Sequence, residues 1–364
     1  MATNEKSEKI SFLEKLKMPS RISLSQKIFF VQQLGVMLKA GISLSTALKT
    51  LADQSSSKNF KTILVDLQTN VEKGNLLSRG LEKYKKIFGE LFINMIKAGE
   101  TSGKLEEVLK QLFIQMKKDH AIIAKIKSAM IYPAIVIAMM VVIGILMLVY
   151  VIPTISGVFK EINVPLPLAT RVLIAVSEFS VKYGIFLLAG FIAFVIIFGR
   201  IITLPKGKRQ FNKALLALPI IGPIIKKVNI ARFCRTLSSL LKTDIPIVQS
   251  FEITAKVLGN AVYQDALMDA KEKIKKGVNI QVSLNPYPKL FPPVILQMVA
   301  VGEETGSLDT ILEESAIFYE EEVDQTMTNL PSILEPVLMV ILGVAVAGMA
   351  VAVIMPMYSL SQSI

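Results

Sequence analysis

Two stretches of this chain carry the same pattern of glycine, glutamate and leucine: KAGETSGKLEEVL over residues 97–109 and AVGEETGSLDTIL over residues 300–312. A shift of 203 positions superposes them without a gap. It pairs Gly99 with Gly302, Glu100 with Glu303 and Gly103 with Gly306. The two Gly-Glu hexads could be a catalytic carboxylate pair, a metal-binding loop or a structural turn copied by duplication.

The same shift aligns the sequence on both sides of the hexads. Upstream it superposes the following pairs: Leu38 and Leu241, Lys39 and Lys242, Tyr84 and Tyr287, Phe88 and Phe291. Downstream, inside apolar sequence, it places Pro133 on Pro336 and Pro153 on Pro356. A register held this far indicates a duplicated unit of soluble domain plus following apolar segment. The copies then share one topology, unlike the inverted repeats of many transporters.

Three apolar runs are long enough to cross a bilayer, which takes about 20 helical residues. They cover residues 128–153, 183–204 and 332–358, and we predict a transmembrane helix for each. A further apolar segment from Leu168 carries Arg171 and Glu178. We interpret it as an amphipathic helix at the membrane surface or an extension of the second span, within an extracytoplasmic loop over residues 154–182.

The charge distribution predicts the orientation of these spans. The chain has 41 Lys and Arg against 29 Asp and Glu, and basic residues cluster before the first span and after the second. Such clusters mark the cytoplasmic side. Since they lie beside spans and lack interleaved aromatic residues, we attribute them to membrane anchoring, not nucleic-acid binding. Polar residues 1–20 are then a cytoplasmic tail, and residues 359–364 a short extracytoplasmic tail.

The two intervening regions, residues 21–127 and 205–331, show helical periodicity. Leu105, Val108, Leu109 and Leu112 form one apolar stripe, which is typical of a helix that buries one face. Ser25 is the predicted N-cap of the first helix. The predicted fold class is all-α, with two homologous cytoplasmic helical-bundle domains in tandem plus three transmembrane helices.

The hexads themselves admit three interpretations. Glu100 and Glu303 could mark a helix–turn–helix corner, with the carboxylate near the N-terminus of the next helix and bonded to its backbone N–H groups. The corners could also contact a partner. A metal or catalytic role is disfavoured: the EF-hand spacing is absent, and the chain has a single cysteine, Cys234, and a single histidine, His120. No catalytic, metal or cofactor-binding residue is predicted.

An acidic face in the second copy is a possible docking surface. Nine acids and no Lys or Arg lie between Glu303 and Asp324. We single out Glu313, Glu314, Glu320 and Glu321 as residues that could dock a basic partner or the more basic first copy. The alternative is an ordinary solvated helix face. Within the spans, Pro133 and Pro336 are expected to relax or kink the helix entrances.

Together, the duplicated helical domain, the paired G-E-x-x-G corners, AGISL at residues 40–44 and the proline-bearing spans resemble the type II secretion F domain family. This family comprises inner-membrane platform proteins of type IV pili and type II secretion, and the resemblance runs from about Ser25 to Tyr358. Its Gly-Glu signature falls on the six hexad positions above. In the second copy TDIPI replaces AGISL, so that Asp244 stands at the position of Gly41 and the turn there is expected to differ.

The resemblance implies a non-enzymatic, multi-pass protein of the bacterial inner membrane with a cytoplasmic N-terminus. The implied partners are a hexameric cytoplasmic assembly ATPase, pilin or pseudopilin subunits, other inner-membrane assembly proteins, further copies of the chain in a homo-oligomer, and the lipid bilayer. The implied function is to couple the ATPase to insertion of pilin subunits into the fibre. The alternative is a membrane channel or transporter with duplicated cytoplasmic domains. It is disfavoured because Glu335 is the only serious ionisable candidate in the spans.

Overall fold

The computed structural model describes residues 22–154, 156–157 and 168–361. The predicted N-terminal tail and part of the predicted loop after the first span lie outside these residues. The described residues contain helices and turns but no strand, and the all-α prediction is confirmed. The chain divides into two compact units. One joins the chain up to Ile122 with Ile225–Glu320, and the other joins Ile123–Ile224 with the chain from Glu321 onward.

The first repeat forms six short helices and the start of a long one. They are α1 (Leu24–Lys39), α2 (Leu44–Gln54), α3 (Lys58–Glu72), α4 (Leu77–Glu82), α5 (Lys85–Phe88), α6 (Glu90–Ser102) and α7 (Leu105–Leu146). The N-cap of α1 is Ser23, so the prediction of Ser25 was wrong. Ser23 and Gln26 each accept a hydrogen bond from the other's backbone N–H, which satisfies two donors at the helix start.

The middle of the chain forms α8 (Leu168–Thr203) and α9 (Pro205–Ala217). The segment from Leu168 is therefore continuous with the second span, and the predicted boundary between loop and span at residues 182 and 183 is not a break in the helix. Ahead of it, α7 ends in a π-helical turn, Met147–Val151. The Ser177 hydroxyl of α8 donates a hydrogen bond to the Leu148 carbonyl of this turn. This bond gives the carbonyl a hydrogen-bond partner among apolar side chains.

The second repeat reproduces the first, except that residues 288–291, the counterparts of α5, form a turn and not a helix. Its helices are α10 (Ile221–Leu241), α11 (Ile247–Val257), α12 (Ala261–Ile274), α13 (Ile280–Leu284), α14 (Pro293–Thr305) and α15 (Leu308–Ser361). Helices α11 and α14 begin and end 203 residues after α2 and α6, and α15 begins 203 residues after α7. Within the described residues, three helices are long and apolar enough to cross a membrane, over Leu105–Thr154, Ile174–Ile202 and Leu308–Gly348.

Both repeats build their cores around the same aromatic contact. Phe30 of α1 packs on Phe88 with ring centroids 6.1 Å apart, and Phe233 packs on Phe291 at 5.2 Å. The core of the first repeat also takes in three side chains of the second, Leu240, Ile245 and Ile253. The two repeats therefore share buried apolar surface within one compact unit, which favours their association through the hydrophobic effect.

Candidate functional site

Each Gly-Glu hexad forms the corner between the last short helix and the long helix of its repeat. Gly103 follows α6 with φ of +71°, and Gly306 follows α14 with φ of +69°. The next backbone N–H, from Lys104 or Ser307, donates to the carbonyl of Gly99 or Gly302 at 2.9 and 3.0 Å. This left-handed ending satisfies carbonyls at the helix terminus, and glycine adopts it without steric cost.

The first glycine of each hexad allows the two helices of the corner to approach closely. A Cβ atom on Gly99 would lie 2.9 Å from Val108 Cγ2 and 3.1 Å from Leu105 Cα. A Cβ atom on Gly302 would lie 2.9 Å from Leu308 Cα. Because these distances are shorter than van der Waals contact, both positions require glycine for packing, while Gly103 and Gly306 require it for backbone conformation.

The glutamate of each hexad caps a helix, but a different one from that expected. Glu100 accepts hydrogen bonds from the backbone N–H groups of Leu77 and Ser78, the latter at 3.0 Å. Glu303 accepts from the N–H of Ile280 with both carboxylate oxygens, at 2.9 and 3.0 Å. Leu77 and Ile280 begin α4 and α13, which precede the corners in the chain. The carboxylates thus satisfy unpaired N–H groups of a preceding helix.

The turn after the first helix of each repeat has the same conformation, although a different one was expected in the second copy. Asp244 has φ of +59°, close to the +78° of Gly41. In both turns the following N–H, from Ile42 or Ile245, bonds back five residues, at 3.0 and 3.2 Å. Aspartate is one of the few residues other than glycine that tolerate this left-handed region. Its carboxylate lies 2.9 Å from Lys104 Nζ, beside the first hexad.

A polar seam joins the two repeats where α7 faces α10. Gln115 of α7, which is 1% exposed, donates to Thr236 at 3.3 Å and accepts from Ser239 at 3.4 Å. One helical turn later, Asp119 pairs with Arg232 at 3.4 Å. Buried polar groups are stable when they are hydrogen-bonded, as the Gln115 side chain is to Thr236 and Ser239. The seam therefore fixes how the second repeat lies on the first.

The predicted acidic face is divided between internal and exposed residues. Glu320 accepts two hydrogen bonds from Arg235, at 2.8 and 3.1 Å, and pairs with Lys118 of the first repeat at 2.9 Å. The Arg235 and Glu320 side chains are only 6% and 10% exposed. Glu313 pairs with Arg235 at 3.5 Å and with Lys242. These two carboxylates neutralise buried or half-buried cations, whereas Glu314 and Glu321 are exposed.

Arg235 and Gln115 are interface residues that the sequence did not single out, and Asp244 was singled out only for its turn, not for its ion pair with Lys104. A signal for them exists in the comparison of the two copies. Where the first copy has the apolar or neutral residues Phe29, Gln32 and Val36, the second has Arg232, Arg235 and Ser239. Polar residues that replace apolar ones on one helix face suggest that this face meets different surroundings in the two copies.

Both membrane prolines lie inside long helices. Pro133 is buried within α7, and Pro336 is exposed within α15. Neither proline ends its helix: α7 continues to Leu146 and α15 to Ser361. In each repeat the helix that starts two residues after the corner glycine is the same helix that carries the apolar span. Among the described residues, no group of three or more His, Cys, Asp or Glu side chains could hold a metal ion.

Comparison with known proteins matches both repeats to one family. Residues 30–153 and 233–356 each match the family described as type II secretion system (T2SS), protein F. The two matches are separated by the 203 positions of the internal repeat, and each contains a helical bundle, its corner and the following apolar segment.

Relatives carry names from two machineries. The type IV pilus assembly protein PilC of Thermus thermophilus is 36% identical over 337 residues, which are 93% of this chain and 83% of the relative. The PilC protein of Myxococcus xanthus is 34% identical over 93% of this chain and 81% of its own length. The type II secretion system protein F of Vibrio cholerae is 31% identical over 94% of this chain and 84% of its own length.

Proposed function

The chain belongs to the family of type II secretion system protein F, and we propose that it is the inner-membrane platform of a type IV pilus or type II secretion-like filament-assembly machine. In this role it couples a cytoplasmic assembly ATPase to the insertion of pilin subunits into the fibre. Its work is mechanical and non-enzymatic. The N-terminus and both helical bundles then lie in the cytoplasm, where they can meet the ATPase.

The observation that carries this proposal is the continuity of the long helices with the corners. Helix α7 has 42 residues and α15 has 54, and each begins at a Gly-Glu corner and runs on as an apolar span. A helix rises about 1.5 Å per residue, so each is longer than the roughly 30 Å hydrocarbon core. A displacement of the corner can therefore be passed along one element, without a loop that would absorb it.

The packing of the repeats supports the same proposal. They share apolar core and are joined by the Lys104–Asp244 pair and the Gln115 seam. A force applied to either bundle would then move both α7 and α15. The exposed Glu314 and Glu321 are the part of the predicted acidic face that stays open to a basic partner, since Glu313 and Glu320 are engaged within the chain.

The proposal is tested by interrupting α7 in the host bacterium. A four-residue Gly-Ser insertion after Lys118 would break the helix before the span, while the same insertion between Gly74 and Asn75, in the loop before α4, leaves α7 intact. In a strain that lacks the native gene but retains pilin and ATPase, surface fibres or secreted substrate are measured. The loop insertion should restore assembly and the α7 insertion should not, with equal amounts of both proteins in the membrane.

Two outcomes would contradict the proposal. One is normal assembly in the strain without the gene, which would exclude a necessary role in the machine. The other is normal assembly with the α7 insertion, which would exclude transmission along that helix. Binding of purified ATPase to the full-length protein in detergent separates a failure of coupling from a failure of docking.

A further inference from the structure

The contact between the two repeats is heterologous: each uses a different face. The first repeat contributes α6 and α7, and the second contributes α10 and α11. The Gln115 seam joins α7 to α10, and Lys256 of α11 lies 3.1 Å from Glu90 at the start of α6. A contact between unlike faces of homologous domains leaves one matching face unused on each.

The unused face of the first repeat is formed by α1 and α2, which are the counterparts of α10 and α11 in the second repeat. We name it the open α1 face and define it by Phe29, Val36, Lys39 and Ile42. Val36 is 58% exposed, whereas its counterpart Ser239 is 3% exposed at the seam. Phe29 and Ile42 are likewise exposed apolar side chains. Phe29 and Val36 lie seven residues apart in α1 and so share one helix face, which leaves apolar surface in water where the second repeat has the polar Arg232 and Ser239.

The unused face of the second repeat is formed by α14 and α15, which are the counterparts of α6 and α7 in the first repeat. We name it the open α14–α15 face and define it by Val294, Met298, Val301, Glu314 and Phe318. Phe318 is 52% exposed, whereas its counterpart Gln115 is buried against the second repeat. Met298 is exposed as well, while its counterpart Met95 is fully buried. The first repeat buries the equivalent surface against the second repeat, whereas in the second repeat this surface is exposed.

We propose that a second copy of this chain docks its open α1 face on the open α14–α15 face, repeating between chains the contact that joins the repeats within one chain. The inference does not depend on the proposed ATPase or pilin partners. The occupant follows from shape: the open α1 face belongs to the same repeat fold that already covers the equivalent surface of the first repeat.

Two apolar side chains would meet in this arrangement. In the observed seam Gln115 meets Thr236 and Ser239, so between chains Phe318 would meet Gln33 and Val36. An exposed aromatic ring would thus meet an exposed valine. Burial of both removes apolar surface from water, which favours association.

Charge complementarity points to the same pairing. Lys242 and Gln111 line one cavity where the two repeats meet. The equivalent positions are Lys39 on the open α1 face and Glu314 on the open α14–α15 face. Both are exposed, and neither forms an ion pair within the described residues. Docking would bring the lysine of one chain near the glutamate of the next, whereas two open α1 faces would bring lysines together.

The arrangement has a geometric consequence. In a heterologous contact, one face of each chain binds the other face of the next chain. Such contacts close into a ring when the rotation from one chain to the next is a whole fraction of 360°, and they form an open filament otherwise. Both repeats run from bundle to span in the same chain order, so the two repeats are parallel and not inverted. Such chains can associate side by side in one bilayer.

Cysteine crosslinking of the full-length protein in membranes tests the pairing. One chain carries V36C and a differently tagged chain carries F318C, and membranes with both are treated with a short bis-maleimide. Crosslinked product containing both tags is expected only when the two substitutions are combined. The native Cys234 is buried, and burial raises its thiol pKa, so the unsubstituted chain should not react.

The matched control replaces F318C by V282C. Val282 is also exposed, but its first-repeat counterpart Arg79 stays exposed when the repeats pack, so position 282 lies outside the proposed contact. A V36C–V282C product equal to the V36C–F318C product would overturn the proposal. So would crosslinking of either substituted chain to itself alone, which would indicate a contact between like faces.

Charge reversal provides a second measurement on the same contact. K39E and E314K should each lower the fraction of oligomer measured by native mass spectrometry in detergent, and the K39E/E314K double variant should restore it. Both residues are exposed, so the folded protomer should tolerate each change. An oligomer fraction unchanged in both single variants, or a double variant no better than the singles, would overturn the proposed pairing.

Discussion

Asp244 of the second repeat stands in the left-handed turn position that Gly41 occupies in the first, and its carboxylate lies 2.9 Å from Lys104 Nζ. One residue thus combines a strained backbone with an ion pair across the interface between the repeats. The hydrogen bond from Lys104 to the Asp244 carboxylate raises the pKa of Lys104. Since both side chains are largely exposed, the pair itself should contribute little to stability.

We therefore expect D244G and D244A to differ. D244G removes the strain of the left-handed conformation and should be at least as thermally stable as the wild type. D244A loses the ion pair but keeps the strain, and should be about 1 kcal/mol less stable than D244G. Thermal unfolding of the full-length protein in detergent measures both. A D244G variant less stable than the wild type would show that the ion pair outweighs the backbone strain, and a D244G variant no more stable than D244A would show that the turn carries no such strain.

The two capping glutamates should differ in their contribution to stability. E100A leaves two backbone donors of α4 without a partner, and E303A leaves one donor of α13. Loss of a helix cap costs about 0.5–2 kcal/mol, so E100A should lie near the upper end and E303A nearer the lower end. Hydrogen exchange at Leu77 and Ser78 should accelerate in E100A alone. Unchanged exchange there would argue against the capping role.

The first glycine of each hexad should not tolerate alanine. G99A and G302A force the two helices of the corner apart, and each should destabilise the protein by about 1–3 kcal/mol. V108A should partly relieve G99A, because Val108 is the nearest obstacle there. The nearest obstacle to G302A is the backbone at Leu308, for which no side-chain truncation compensates.

Gly35 provides the matched control for these substitutions. It lies inside α1, and a Cβ atom there would meet Leu109 Cβ at 3.5 Å, an ordinary contact. Alanine has the higher helix propensity, so G35A should be neutral or mildly stabilising. If G35A destabilised the protein as much as G99A does, close approach at the corner would not be the reason.

An equivalent tyrosine–aspartate pair in each repeat predicts a loss of stability in alkali. The Tyr84 hydroxyl donates to Asp66 at 3.0 Å, and that of Tyr287 donates to Asp269 at 2.7 Å. Burial and the Asp66 carboxylate raise the pKa of Tyr84 to about 12, and the hydrogen bond to Asp269 raises that of Tyr287 to about 12. Their contribution is complete below the unfolded pKa of about 10 and is lost as the pH approaches 12.

Y84F should therefore flatten the decline in stability between about pH 10 and pH 12. Y287F should do so less, because Tyr287 is more exposed. Thermal unfolding compared across this pH range measures the slope, and ultraviolet absorbance of the tyrosinate form checks the titration. Parallel curves for the wild type and Y84F would contradict the assignment.

The acidic face should separate into two pairs by mutation. E313Q/E320Q removes the carboxylates that neutralise Arg235, whose guanidinium is then buried without a full charge partner, and the unfolding temperature should fall. E314Q/E321Q affects exposed side chains and should leave the unfolding temperature of the protomer unchanged. Equal losses in the two double variants would show that the exposed pair also has an internal role.

The sequence alone predicts the helical class, the repeat and the apolar segments, because each depends on residue periodicity or on exact recurrence. It does not predict that Glu100 caps α4, since Leu77 lies 23 residues away in the chain and no residue of the hexad indicates this contact. The turn at Asp244 was predicted to differ because glycine is the default residue there, yet aspartate can adopt the same conformation. The burial of Glu320 depends on Arg235 and Lys118, which only tertiary packing brings to it.

The unbroken course of α7 ties helical phase to chain length. With 3.6 residues per turn, deleting one residue between Gln115 and the apolar segment would turn all later side chains by about 100° relative to the earlier ones. A deletion of four residues comes close to a full turn and would nearly restore the original azimuth. A length change in α7 between the corner and the apolar segment is therefore also a change in helical phase, and this change is smallest when close to a whole number of turns is removed.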